Sequence, residues 1–135
     1  HPMNAEEEAV MRTIRTFLEA VRTGNQETMR SVSLTEATLE IINSGHSTGR
    51  QSLHNGAPAE VVRPLQQVPA PVLVDFQRLS ATHVSVASYL EVAAPDALEK
   101  THLRWDLTQR GTEWRILNFS AALSTTLYNI RGGGP

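Results

Sequence analysis

The chain has no cysteine among its 135 residues, which excludes disulfide bonds, thiolate catalysis and thiolate metal sites. Aromatic residues are scarce at 5%, and no apolar run approaches the roughly 20 residues that a membrane-spanning helix needs. Neither sign of charge dominates, because the net charge is only −2. Such a chain has no general attraction to nucleic acid or to anionic lipid. We therefore expect neither a nucleic-acid partner nor a membrane partner.

Motifs for metals and cofactors are also missing. The Gly- and Ser-rich stretch 43–57 lacks the GxxxxGK[ST] spacing of a phosphate-binding loop. The five histidines form no HxH or HExxH pair, so isolated histidine is the only metal signal. We expect no metal site and no cofactor.

The clearest pattern is the stretch 101–122, which predicts two long strands joined by a tight turn. Leu103, Trp105 and Leu107 alternate with polar residues, the period of a strand with one buried face. The pair Gly111–Thr112 predicts a two-residue turn, and glycine in its first position suits a type II′ hairpin.

This turn sets the expected register of the hairpin. It pairs Leu107 with Ile116 and Trp105 with Asn118, whereas a three-residue loop would set Leu107 against Arg115 and interrupt the apolar face. The buried face then also contains the amide of Asn118, which must find a hydrogen-bond partner. We favour an internal partner for Asn118; the alternative is that its amide orients a ligand.

The opposite hairpin face is expected to be mixed in polarity and to form an interface between two copies of the chain. Exposed leucine and phenylalanine would otherwise leave an apolar patch on the surface. Its predicted members are His102, Arg104, Asp106, Thr108, Arg115, Leu117 and Phe119.

Helices are predicted at the start of the chain. Asn4, followed by three glutamates, is a helix cap with capping-box spacing to Glu7. Gly24 ends this helix, and Asn25 caps a second one that continues to about Val32. The apolar stripe of the first helix contains Val10, Ile14, Phe17, Leu18 and Val21.

Between the helices and the hairpin, the sequence predicts more strands than helices. It favours a strand at 38–42, a loop at 43–57 and a short helix at 59–67. Strands follow at 72–76 and at 84–92. Helices before a run of strands indicate an α+β fold with helices on one face of a mainly antiparallel sheet.

Three passages extend this prediction: FLEAVRTGNQETM at 17–29, TLEIINSG at 38–45, and LRWDLTQRGTEWRILNFSA at 103–121. In these passages and in the order of its elements, the sequence resembles the nuclear transport factor 2-like superfamily, which includes ketosteroid isomerases and SnoaL-like polyketide cyclases. The resemblance implies a cone-shaped fold. A curved sheet would enclose an apolar pocket against the helices, and two copies would pair through the outer sheet face.

Our first hypothesis is a homodimeric protein that binds a small apolar organic molecule. Its pocket candidates are Phe17, Phe76, Tyr89, Trp105, Trp114 and Asn118. A second hypothesis is a cofactor-independent isomerase, dehydratase or cyclase, for which His46, His54 and Asp106 are the candidate catalytic residues. A third is a dimerisation or protein-interaction module.

The chain is expected to be one domain over 1–135, with a flexible tail at 131–135. His1 and Pro2 precede Met3. We favour an added dipeptide before a native start and a cytoplasmic location; the alternative is an exported protein whose signal peptide has been cleaved.

Overall fold

A computed structural model describes residues 3–47, 49–55 and 75–127 of the chain. These residues form two helices, α1 (Ala5–Thr23) and α2 (Gln26–Ser31), and a 3₁₀ turn (Leu53–Asn55). They also form seven strands: β1 (Ser33–Asn43), β2 (His46–Ser47), β3 (Gln51–Ser52), β4 (Asp75–Arg78), β5 (His83–Ala94), β6 (Ala97–Arg110) and β7 (Glu113–Leu127).

The strands make one mixed, mostly antiparallel sheet in the order β2-β1-β7-β6-β5-β4, with β3 also paired to β1. The pairing of β1 with β7 is parallel, and the other pairings are antiparallel. The α+β prediction is confirmed. The predicted helix at 59–67, the start of the strand at 72–76 and the tail at 131–135 lie outside the described residues.

Both helix caps form as the sequence predicts. Asn4 Oδ1 accepts a hydrogen bond from the Glu7 amide at 2.8 Å, and Glu7 Oε1 accepts one from the Asn4 amide at 3.0 Å. Gly24 ends α1 in the left-handed region at φ 71°. Asn25 Oδ1 caps α2 by accepting from the Thr28 amide at 3.1 Å. Within the described residues, neither helix is long and apolar enough to cross a membrane.

The first strand begins earlier than predicted, at Ser33 rather than Thr38. The pairing of β1 with β7 is irregular between these two residues, and both Thr35 and Glu36 are exposed. This irregularity interrupts the period of two, so the alternation becomes readable only from Ala37 onward. The following stretch, predicted as loop, contains the short strands β2 and β3.

The hairpin turn is the predicted one. Arg110 pairs with Glu113 across Gly111–Thr112, and Leu107 pairs with Ile116. Gly111 has a φ of 64°. Among the described non-glycine residues only Ser44 has a positive φ, so the turn has the type II′ sign pattern.

A β-bulge at Leu117 overturns the rest of the predicted register. Asp106 pairs with Asn118 while Leu107 pairs with Ile116, so Leu117 has no partner on β6. Trp105 therefore pairs with Phe119 and not with Asn118. The extra residue exchanges the two faces of β7, because side chains alternate along a strand.

The inner face of the sheet, defined as the side that packs on α1, carries the core. Phe119 and Trp105 are fully buried there, which corrects the expectation that Phe119 lies exposed in an interface. The outer face carries Asn118, which corrects its expected place on the apolar side. The largest fully buried side chains in the core are Trp105, Phe17, Phe119, Met11, Ile14 and Leu18.

Candidate functional site

Three aromatic rings on the inner face form the centre of the candidate site. The ring of Phe17, from α1, lies 5.2 Å from the ring of Phe119, measured between centroids. The Trp105 ring lies 5.1 Å from the same Phe119 ring, again measured between centroids. Both pairs are tilted, at interplanar angles of 57° and 36°, within the range of favourable aromatic contacts. We call these three residues the aromatic cluster.

The sheet positions around Trp105 are occupied by uncharged side chains. Its partners on the neighbouring strands are Val86 and Phe119. On β6 itself, Leu103 and Leu107 share its face because side chains alternate. Among the described strand residues, no ionisable side chain is paired with Trp105 on this face.

The indole of Trp105 nevertheless contains an unsatisfied polar group. The residue is fully buried, and its Nε1–H has no hydrogen-bond acceptor among the described residues. Leaving a buried donor unpaired costs roughly 1–3 kcal/mol, which is why such groups are rare in native structures. No other described side chain has a buried nitrogen or oxygen without a partner.

The remaining aromatic candidates lie in different places. Trp114 is buried in the same core, where its backbone carbonyl accepts a hydrogen bond from Thr13 Oγ1 at 3.1 Å. Phe76 is half-buried on β4 and packs against the edge of the core. Tyr89 lies on the outer face, where its ring makes an edge contact with His102 at 4.7 Å. Tyr89 is thus on the opposite side of the sheet from Trp105.

Asn118 takes part in a chain of hydrogen bonds across the outer face. Its Oδ1 accepts from Thr38 Oγ1 at 2.7 Å, and its Nδ2 donates to Asp106 Oδ2 at 3.5 Å. Thr38 in turn accepts from Arg50 Nη1 at 2.9 Å. Both ends of the amide therefore have internal partners, the alternative that we favoured from the sequence. We call these four residues the outer-face relay.

Asp106, a candidate catalytic residue, belongs to this relay. It is half-buried and pairs across the sheet with Ser85 and Asn118. Its neighbour on the same face, Arg104, donates to Ser85 Oγ at 3.0 Å. The carboxylate of Asp106 is thus separated by the sheet from the aromatic cluster.

The two histidine candidates lie near different positions along β1. His46 is exposed on β2, opposite Asn43, whereas His54 follows a strand that pairs at Thr38. These pairing sites are five residues apart, about 16 Å along a strand.

His54 is held by the start of β1. Its Nε2 lies 3.0 Å from Ser33 Oγ, and that hydroxyl also lies 2.8 Å from the Met29 carbonyl, to which it donates. Because the Ser33 proton is used in this way, His54 Nε2 acts as the donor in the contact. The pair therefore resembles a structural tether more than a nucleophile with its base.

The segment Gly45–His46–Ser47–Thr48–Gly49 has the G-x-S-x-G spacing of a hydrolase nucleophile. The described surroundings of Ser47 do not match that chemistry. Ser47 Oγ donates to Glu40 Oε2 at 2.7 Å and accepts from the Gly49 amide at 2.9 Å. Within this segment His46 and Ser47 form the two-residue strand β2, whereas the hydrolase motif requires a strand-to-helix turn.

Metal binding has no geometric support within the described ranges, where no three histidine or carboxylate side chains converge. The residue that the sequence missed is Phe119, which links Phe17 to Trp105. Its assignment to the wrong face follows from the bulge. The parallel pairing with β1, in which Leu39 is opposite Phe119, was the missing information.

No family model matches the sequence, and a search of the curated proteins finds no relative. Solved structures do match. A ketosteroid isomerase-like protein from Erwinia carotovora atroseptica superposes with a TM-score of 0.59 at 12% identity, covering 90% of this chain and 98% of its own. An NTF-2-like protein of unknown function from Shewanella oneidensis gives 0.55 at 10% identity, covering 85% and 97%.

A third similar structure is that of LinA, with a TM-score of 0.61 at 16% identity. The match covers 93% of this chain and 90% of LinA. At these identities the likeness concerns the arrangement of helices and strands. The chain has the cone-shaped α+β fold of the nuclear transport factor 2-like proteins.

Proposed function

We propose that this protein binds a small, uncharged organic molecule against the inner face of its sheet. In this proposal Trp105 Nε1–H donates a hydrogen bond to an acceptor oxygen of the ligand. The single observation that carries it is the buried indole donor without an acceptor among the described residues. The aromatic cluster, whose three side chains are buried, provides apolar surroundings for that donor.

The unpaired indole donor of Trp105 distinguishes this site from an ordinary apolar core. A core could be filled by phenylalanine or leucine at position 105 without an unpaired donor, whereas tryptophan imposes a penalty of roughly 1–3 kcal/mol. A ligand oxygen removes that penalty on binding. An apolar surface with few polar groups is also the usual composition of a small-molecule site.

We expect an uncharged ligand because the side chains that flank Trp105 on the sheet are uncharged. Trp105 is flanked on the sheet by Val86 and Phe119, which would leave a bound charge without compensation. A carbonyl compound satisfies the donor and keeps an apolar body. The similar Erwinia protein is named ketosteroid isomerase-like, which is in keeping with an apolar ketone.

Catalysis ranks below binding in this proposal. An isomerase, dehydratase or cyclase needs a proton carrier beside its substrate. His46 is exposed on β2, His54 is tethered to Ser33, and Asp106 lies on the outer face. None of these three candidates is placed beside Trp105 by the strand pairings.

The test compares cyclic ketones with their parent hydrocarbons in thermal-shift and calorimetric titrations. We expect Trp105→Phe to weaken ketone binding about five-fold, the equivalent of one neutral hydrogen bond, and to change hydrocarbon binding much less. The ketone-to-hydrocarbon affinity ratio within each variant cancels effects of altered packing. Trp114→Phe is the matched control and should preserve the wild-type ratio.

The proposal has two parts, ligand binding and recognition by the Trp105 indole, and each has its own contradicting result. If neither ketones nor hydrocarbons bind the wild-type protein, the proposal is wrong. If ketones bind and Trp105→Phe keeps the wild-type ratio, the indole donor is not the recognition group.

A second candidate function is self-association through the outer face. The observation in its favour is the aromatic pair Tyr89–His102, in which Tyr89 is 39% exposed. Arg104 and Asp106 lie on the same face, one residue of each charge. A two-fold axis through this face would set Arg104 of one copy near Asp106 of the other.

A further inference from the structure

A separate concave surface lies between α1, the end of α2 and the β6–β7 turn. This groove has a volume of about 400 Å³, within the range of about 300–1,000 Å³ that is usual for small-ligand sites. Its lining residues include Arg12, Thr13, Ser31, Val32, Glu113 and Arg115. We call it the arginine groove. The members of the aromatic cluster are not among its lining residues.

Hydrogen bonds between its walls hold the groove open in one shape. Thr13 Oγ1 of α1 donates to the Trp114 carbonyl of β7 at 3.1 Å. The Ile116 amide of β7 donates to the Val32 carbonyl at 2.9 Å. Arg115 Nη1 donates to the Ser31 carbonyl at the end of α2. The three elements are therefore fixed relative to one another before any ligand arrives.

The charges in the groove do not balance. Arg115 is paired with Glu113, whose side chain is 64% exposed compared with 32% for Arg115. Arg12 is exposed and has no ion-pair partner among residues 3–47, 49–55 and 75–127. The lining thus contains two guanidinium groups and one carboxylate, which leaves a net charge of +1.

We infer that the arginine groove binds the carboxylate of a small organic acid. Arg12 can present paired N–H donors to an anion, the geometry in which arginine recognises carboxylates. Arg115 adds a second guanidinium, whose Nη1 and Nη2 donate to Ser31 and Glu113 in the free protein. Ala9 and Val32 provide apolar wall for the body of the acid. Glu113 is a competitor in this arrangement, because it occupies the same guanidinium that the ligand would use.

Because Glu113 competes with the ligand for Arg115, its removal should raise the affinity for benzoate. Glu113→Gln removes the competing charge and should tighten benzoate binding about three-fold, the scale of one exposed ion pair. Arg12→Gln should weaken it by a similar factor. Arg15→Gln removes an exposed arginine of α1 that does not line this groove, and should have no effect beyond general screening.

The experiment is an NMR titration of the whole chain with sodium benzoate, inorganic phosphate and benzyl alcohol. We expect saturable shifts at the amides of residues 112–115, with benzoate binding more tightly than either other probe. Benzyl alcohol has the apolar ring of benzoate without its carboxylate, whereas phosphate is an anion without an apolar body. Trp105→Phe should leave these shifts unchanged, because this site is independent of the proposed inner-face ligand.

Three results would overturn the inference. One is the absence of saturable benzoate shifts at residues 112–115. Another is an unchanged or weakened benzoate affinity in Glu113→Gln. Phosphate binding as tightly as benzoate would also contradict it, because the apolar wall would then contribute nothing.

Discussion

At the scale of single residues, the polar side chains of this sheet are organised by their partners. Asn118 accepts a hydrogen bond from Thr38 and donates one to Asp106, so its amide has a fixed orientation on the outer face. Trp105 is the contrast, since its donor is buried without an acceptor in the described part of the chain. This difference separates a polar group with a structural role from one that we assign to recognition.

The outer-face relay predicts a measurable stability cost. Thr38→Val keeps the shape of the side chain but leaves Asn118 Oδ1 without its 2.7 Å donor. We expect the free energy of unfolding to fall by about 1 kcal/mol, measured by urea denaturation. Thr35→Val, at an exposed position of the same strand, is the control and should change it by less than about 0.5 kcal/mol. Equal effects of the two substitutions would show that the relay adds no stability.

At the scale of elements, the sequence predicted the helix caps and the hairpin turn, which depend on neighbouring residues. It did not predict the bulge on β7, which accompanies a long-range pairing. The caps at Asn4 and Asn25 and the turn at Gly111 depend on neighbouring residues, and all three form as predicted. The bulge at Leu117 was missed because a period-two pattern assumes an uninterrupted ladder. Nothing within the hairpin sequence reports the parallel pairing of β7 with β1, in which Thr38 is opposite Asn118.

The bulge at Leu117 changed which residues of β7 were assigned to the candidate site. Trp105 lies on the inner face of the sheet, and Phe17 lies on the buried side of α1. Alternation along β6 and helical spacing along α1 were sufficient to place them. Asn118 and Phe119 follow the bulge, so their faces were exchanged in the prediction. The error is confined to residues beyond Leu117 on β7, where the alternation resumes with the opposite phase.

The turn between β6 and β7 offers an element-scale test. Gly111 has a φ of 64°, and a Cβ added there would meet no atom within 4 Å. Gly111→Ala should therefore cost about 1–2 kcal/mol of unfolding free energy from backbone strain alone. Gly111→Asn should cost less, because asparagine adopts a positive φ more readily than alanine does. Chemical denaturation of both variants measures the difference; an alanine variant as stable as wild type would exclude a left-handed residue at this position.

At the scale of the whole molecule, the two faces of the sheet have different proposed tasks. The inner face packs on α1 and carries the aromatic cluster, whereas the outer face carries the relay and the exposed Tyr89. We propose that the inner face binds a ligand and that the outer face pairs with another copy of the chain. The fold permits both, because a sheet separates them.

Self-association is tested by sedimentation velocity. The wild-type protein is expected to sediment as a dimer, and Tyr89→Asp as a monomer, because a buried aspartate without a partner is costly. Leu79→Asp is the control, since Leu79 is 57% exposed and lies in the turn after β4. A monomeric wild-type protein would contradict the outer-face interface.

The most direct test of the central claim is the indole proton of Trp105, observed by ¹H–¹⁵N NMR. The chain has two tryptophans, and Trp105→Phe assigns the two indole signals. An unpaired N–H resonates upfield, so we predict that the Trp105 signal moves downfield when a cyclic ketone binds, while the Trp114 signal moves much less. A Trp105 indole signal that is already downfield in the free protein, or that does not move when the ketone binds, would contradict the account.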